Sequence, residues 1–326
     1  MIILPRKASK KMRVLKSILR RAELSPSQRV QYEEQLKRLE AGYAGECRAD
    51  RYWEELEWPE SHYLFYNYET VNQYGYTHQI DTIFLTTKYL LIVEIKNIAG
   101  VMKIDMEHHQ FLRTTSDGRV ENFVNPVDQI ERHEKYIHSI LIQLKIKLPI
   151  LKVIILTNPS SVIQTTSNTI PIFHLSGLSS KLAQFNTNYT TQIDHNQIEH
   201  IKNELMKRYQ PSSWSPTQIY PIKKGIQCRN GHTMLYKRGA FRCDCGEKSN
   251  VTLSEALTDY YYLVNPTITN KELRDFLCIE CPHAASKLLK KLAFPSVGEF
   301  KNRVYFIPNC EIEVQNKSRY SNKILE

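Results

Sequence analysis

Residues 80–85 and 89–95 are two apolar runs around a short polar break at Thr86, Thr87 and Lys88, which predicts a β-hairpin. Further strands are expected at residues 63–68, 101–104, 110–114, 152–157 and 170–175, each rich in β-branched or aromatic residues between turn signals. Helical patterning starts at Ser25-Pro26-Ser27-Gln28, where Ser25 caps and Gln28 completes a capping box, and it runs to about Trp58. Gly42 and Gly45 lie inside that helix and suggest a break or a close approach by another backbone. A second helix starts after Asn125, with Val127, Ile130, Ile137, Ile140, Leu141 and Leu144 at helical spacing, and a third covers residues 196–209. Helix, strands, helix, strand predicts an α/β fold, a mixed central sheet flanked by helices.

Three charged residues interrupt the apolar hairpin: Asp81, Glu94 and Lys96. Charge inside a strand core is costly unless it is paired or binds metal. Side chains two apart on a strand share a face, so Glu94 and Lys96 point the same way, and Asp81 on the neighbouring strand can join them. Two carboxylates and an ammonium on one patch suit a divalent cation, with the lysine orienting water or steadying a phosphate. Read alone, the same pattern also fits an edge-strand ion pair.

The wider arrangement resembles the PD-(D/E)XK nuclease superfamily and, within it, the nuclease-related domain (NERD). The residues that carry the resemblance are Gly42-Tyr43-Ala44-Gly45-Glu46, then Gln79-Ile80-Asp81, then Glu94-Ile95-Lys96-Asn97 with Gly100, and finally Pro126, Gln129 and His133. Ile80 stands where the superfamily's nominal motif has proline. The resemblance spans roughly residues 24–182 and implies a restriction-endonuclease-like fold. It also implies that Asp81 and Glu94 hold Mg²⁺ (or Mn²⁺) with the carbonyl of Ile95, that Lys96 positions water or stabilises charge, and that Glu46 assists. Gln129 is implied near the site, where an amide could bond a phosphate or a water; helix-to-sheet packing is the other reading.

The 326 residues allow two or more domains, and a net charge of +10 favours a polyanionic partner. No apolar run is long enough to span a bilayer and the N-terminus lacks the apolar core of a secretory signal, so a cytoplasmic protein is expected. Seven cysteines suggest a reducing compartment and metal rather than disulfides. Cys228, His232, Cys243 and Cys245 form C-x3-H-x10-C-x-C, with Gly231 and Gly246 beside the ligands, and are expected to hold structural Zn²⁺ in a small ribbon. Residues 267–308 resemble a winged helix: a helix capped by Asn270, a turn at 278–282, a second helix at 283–292 carrying Lys287, Lys290 and Lys291, and a hairpin with Lys301 and Arg303. Cys278 is expected in a buried turn and takes no part in a second metal site.

The expected organisation is a basic arm (1–24), a nuclease-like domain (25–209), a linker (210–225), a zinc ribbon (226–250), a winged-helix-like module (251–310) and a loose tail (311–326). The expected function is Mg²⁺-dependent hydrolysis of phosphodiester bonds in DNA; the alternative is a non-catalytic DNA-binding protein that keeps the nuclease fold.

Overall fold

The structure, a computed structural model, describes residues 1–308 apart from 57, 59–60, 165–169 and 217–219; the expected tail at 311–326 lies outside the described residues. In chain order the elements are β1 (Ile2–Leu4), α1 (Lys10–Arg21), α2 (Pro26–Glu54), β2 (His62–Val71), β3 (Thr77–Thr86), β4 (Leu90–Lys96), β5 (Gly100–Asp105), β6 (Gln110–Thr114), β7 (Val120–Phe123) and α3 (Pro126–Leu144). They continue with β8 (Ile150–Leu156), β9 (Ser161–Ile163), β10 (Ile172–His174), α4 (Leu178–Asn188), α5 (His195–Arg208), β11 (Leu235–Lys237), β12 (Ala240–Arg242) and α6 (Leu253–Leu263). β13 (Thr267–Thr269), α7 (Asn270–Leu277), α8 (Pro282–Leu292), β14 (Ser296–Val297) and β15 (Val304–Phe306) follow, with short 3-10 turns at Leu175–Gly177 and Phe300–Asn302. The chain divides into two compact units, Met1–Ala8 with Lys37–Ser213 and Ser9–Leu36 with Trp214–Glu326.

The first unit is a mixed six-stranded sheet, β1-β2-β3-β4-β8-β10, with a second sheet ordered β7-β6-β5-β9. β2, β3 and β4 are antiparallel neighbours, and β8 joins β4 in parallel. Strand alternation sorts the core onto two faces. Phe65, Ile83, Ile92 and Ile154 pack with Val127, Ile130 and Ile137 of α3 and with Ile198, Ile201 and Leu205 of α5. Leu64, Phe84, Val93 and Ile155 pack on the other side with Ala49 and Trp53 of α2 and Leu178, Leu182 and Phe185 of α4. This is the helix-flanked mixed sheet that the apolar runs predict.

Helix α2 is continuous through both glycines and ends at Glu54, short of Trp58. Its start carries the expected capping box: the Gln28 amide donates to Ser25 Oγ at 3.3 Å and the Ser25 amide to Gln28 Oε1 at 3.0 Å. Gly42 has open space where a Cβ would be, so no close approach explains it. Gly45 does mark one, although the neighbours are side-chain atoms: a Cβ there would lie 2.4 Å from Asn97 Cβ and 2.6 Å from Thr157 Oγ1.

In the second unit, α1 buries Met12, Val14, Leu15 and Ile18, while the buried Asp259 of α6 accepts from Arg20 at 2.5 Å and Arg21 at 3.0 Å. Residues 1–24 are therefore not a free basic arm. Ile2 and Leu4 pair with β2, and apolar residues at helical spacing among the lysines give α1 a face that water cannot satisfy. β11 and β12 form an antiparallel hairpin whose turn residues, Arg238 and Gly239, both have positive φ. α7 and α8 follow, with an antiparallel sheet ordered β13-β15-β14. The cap of α7 is Thr269, reciprocated by Glu272; Asn270, expected as cap, instead donates to Pro282 O at 3.1 Å and Ser286 Oγ at 2.9 Å. Cys278 ends α7 in the left-handed conformation and is exposed rather than buried.

Candidate active site and metal-ligand cluster

Pairing of β3 with β4 stops at Thr82↔Val93, although both strands run on. One step further, Asp81 stands opposite Glu94, and its carboxylate takes over the missing bond by accepting from the Ile95 amide at 2.7 Å. Lys96 is two residues beyond Glu94 on the same face; its ammonium donates to Glu94 Oε1 at 2.7 Å and to Gln129 Oε1 of α3 at 3.2 Å. Glu94 is 2% exposed and its second oxygen, Oε2, is buried with no hydrogen-bond partner. An ionised carboxylate in that state is costly unless something positive meets it.

Gly45 explains how Glu46 arrives. The bare glycine lets α2 settle onto Asn97 and Thr157, just past the ends of β4, which bears Glu94 and Lys96, and its neighbour β8. Asn97 clasps the helix, accepting from Arg48 at 2.6 Å and donating to Ala41 O at 2.6 Å. Glu46, the next residue, then lies beside the sheet carboxylates and feels the charge of Asp81. Burial, followed by that charge, pushes Glu46 up to about 7 against the opposing pull of Arg6. Burial and then Asp81 push Glu94 up to about 8, with Lys96 opposing. Asp81 is raised by its own burial. Burial pulls Lys96 down, but Glu94 and Asp81 outweigh it and its value is raised.

Two members of the site escape sequence reasoning. Arg6, just past β1, donates to Asp50 Oδ2 at 2.6 Å, Glu46 Oε2 at 2.7 Å, Asp81 O at 2.9 Å and Thr82 Oγ1 at 3.2 Å. Asp50 lies one turn beyond Glu46 on α2, a spacing the sequence displays; nothing in the sequence alone brings Arg6 to the sheet. The cluster thus sets four carboxylates (Glu46, Asp50, Asp81, Glu94) against two cations (Arg6, Lys96), an excess of two negative charges when every carboxylate is ionised. His133, matched with Gln129 in the sequence pattern, is fully buried and meets His78 at 3.1 Å between Nδ1 atoms.

That donor set fits a divalent cation. The excess charge equals that of one such ion, and the partnerless oxygen of Glu94 offers a ligand beside Asp81. No group of three carboxylates among the described residues brings its oxygens all within 4.8 Å. Mg²⁺ typically takes one or two carboxylates and fills its remaining positions with water and phosphate oxygen, so two suffice.

In a comparison with family models, residues 41–157 match the one described as the nuclease-related domain, NERD. The likeness to that family covers these residues, a little over a third of the chain. No curated protein and no solved structure matches the chain. The matched segment runs from the helix that bears Glu46 to Thr157 and includes Asp81, Glu94, Lys96 and Gln129; Arg6 lies outside it.

In the second unit, Cys228, His232, Cys243 and Cys245 bring one donor atom each within 4.8 Å of one another. Cys228 and Cys245 sulfurs are 3.8 Å apart, and Cys243 Sγ is 3.7 Å from His232 Nδ1. Zn–S bonds of about 2.3 Å set tetrahedral edges of about 3.8 Å, so this cluster could hold zinc. Gly231 and Gly246 have positive φ and make the turns that present the ligands. Among the described residues no helix is long and apolar enough to cross a membrane.

Proposed function

We propose that the nuclease-related domain hydrolyses phosphodiester bonds in DNA with the help of Mg²⁺ or Mn²⁺. The observation that carries this reading is the buried, partnerless oxygen of Glu94 beside Asp81, in a cluster two positive charges short. Asp81, Glu94 and the Ile95 carbonyl would hold the ion, whose chemistry is to polarise a phosphoryl oxygen and to acidify water. Lys96 spends two of its three N–H groups on Glu94 and Gln129, which leaves the third for an incoming water or phosphate oxygen. Gln129 fixes that ammonium. Glu46, poised near neutrality, suits proton transfer at the attacking or leaving oxygen.

The second unit would hold the substrate. We read Cys228, His232, Cys243 and Cys245 as a structural zinc ribbon and residues 267–308 as a winged helix. Lys287, Lys290 and Lys291 of α8 and Arg303 near β15 are exposed and could meet phosphates; the side chain of Lys301 lies outside the described residues. Zinc-ligating thiols suit a reducing setting, and we place the protein in the cytoplasm.

The test is nicking of supercoiled DNA by the purified protein with and without Mg²⁺ or Mn²⁺, beside Asp81→Ala and Lys96→Ala. Metal-dependent nicking that both substitutions abolish is expected. Cleavage unchanged in the variants overturns the site, and salt-sensitive binding with no nicking favours a non-catalytic DNA clamp.

A further inference from the structure

Arg6 ties together two elements that the hydrolytic site must hold in register. Its fork grips Glu46 and Asp50, one turn apart on α2, and at the same time the Asp81 carbonyl and the Thr82 hydroxyl of β3. Thr82 is the last residue of β3 paired with β4, so from Asp81 on the ladder to β4 no longer fixes the backbone. The guanidinium is 3% exposed, its carbon lies 5.3 Å from the Tyr66 ring centre, and only a planar donor with five N–H groups can span these acceptors. Fold stability alone does not call for such an arrangement, because buried ion networks add little that apolar packing could not.

We propose that Arg6, delivered by the edge strand β1, is a positioning residue of the nuclease-related domain, setting Glu46 against Asp81. This rests on the hydrolytic reading above. Arg6 reaches the reaction through Glu46 and the β3 backbone and leaves the metal ligands themselves in place. Removing it leaves four carboxylates facing Lys96 alone, which favours a divalent cation at least as strongly as before. Losing Arg6 should therefore separate two properties that general damage to the fold would lower together.

The experiment uses the full chain as wild type, Arg6→Lys and Arg6→Ala, with Asp81→Ala as the inactive control. Nicking rates with Mg²⁺, Mn²⁺ binding without DNA by electron paramagnetic resonance, and thermal midpoints are measured on each. Arg6→Lys keeps charge and bulk but not the fork, so kcat should fall about 100-fold, the cost of a misplacement of about 1 Å. KM and Mn²⁺ affinity should stay within about twofold or tighten. Arg6→Ala should recover part of its kcat in millimolar guanidinium. Wild-type kcat in Arg6→Lys, with Asp81→Ala dead, overturns the inference and leaves the hydrolase standing. Parallel loss of kcat, Mn²⁺ binding and thermal midpoint in both variants, without guanidinium rescue, reduces Arg6 to scaffolding and also overturns it. A wild type that never cleaves removes the hydrolytic reading and the inference with it.

Discussion

Gly42 and Gly45 occupy the same helix three residues apart, so replacing each with alanine separates helix propensity from tertiary contact. Either change should gain about 1 kcal/mol of helix propensity. At Gly42 nothing opposes that gain, since no atom lies within 4 Å of the added methyl. At Gly45 the methyl would sit 2.4 Å from Asn97 Cβ and 2.6 Å from Thr157 Oγ1, against ordinary contacts of 3.4–4 Å. Thr157 can rotate its hydroxyl away. Asn97 cannot yield, because its Cβ moves only with the β4 backbone and its amide is held by Arg48 and Ala41. The helix must lift instead, an overpacking strain of about 1–3 kcal/mol. Gly42→Ala should therefore exceed Gly45→Ala in stability by about that amount. Urea unfolding followed through Trp53, buried near the end of α2, measures the difference at constant m value. Equal midpoints for the two variants would refute the contact. Because the lift carries Glu46 with it, Gly45→Ala should also lose nicking activity, whereas Gly42→Ala should not.

Glu94 and Glu46 should contribute stability that falls as pH rises from about 6.5 to about 8 in buffer without added divalent metal. They titrate at about 8 and about 7 in the folded protein against an ordinary 4.5, so these two groups bind more protons folded than unfolded across that window. His78 and His133, drawn down to about 4 and about 3 by burial, work in the opposite direction below 6.5, and Cys245, drawn down to about 6 chiefly by its hydrogen bond with Cys243, opposes the two glutamates inside the window, so the slope is read against Glu94→Gln in the same buffer. A thermal-midpoint slope that Glu94→Gln leaves unchanged, or that Mn²⁺ fails to flatten, contradicts the charge arrangement. Metal analysis of native protein should find about one equivalent of zinc, lost in Cys228→Ser; far less than one in the native protein refutes the ribbon.

The hairpin and its charges were legible because a carboxylate among isoleucines and leucines has few innocent explanations, and strand alternation alone places Glu94 and Lys96 on one side. Helix α3 was legible for the same reason at helical period. Less visible was α4, where serine, threonine and asparagine masked an apolar spacing through Leu178, Leu182 and Phe185. α6 is signalled only by the Thr252 and Glu255 capping box, without an apolar run long enough to stand out. In the first 24 residues the dense positive charge outweighed Met12, Val14, Leu15 and Ile18, which already traced a helix face. Arg6 could not be found that way. Its role depends on β1 pairing with β2, a long-range choice that three apolar residues cannot specify locally.

The route of the chain sets a timetable for synthesis. Helix α1 leaves the ribosome long before its partner, since Asp259 lies 238 residues after Arg21. At about 5–20 residues per second that interval is roughly 10–50 s. Throughout it the greasy side of a strongly cationic helix has nowhere to go, while the neighbouring edge strand is already free to dock. Nascent chains should thus acquire the sheet first and its companion unit last, with protection from aggregation most needed at the very segment that charge would keep soluble.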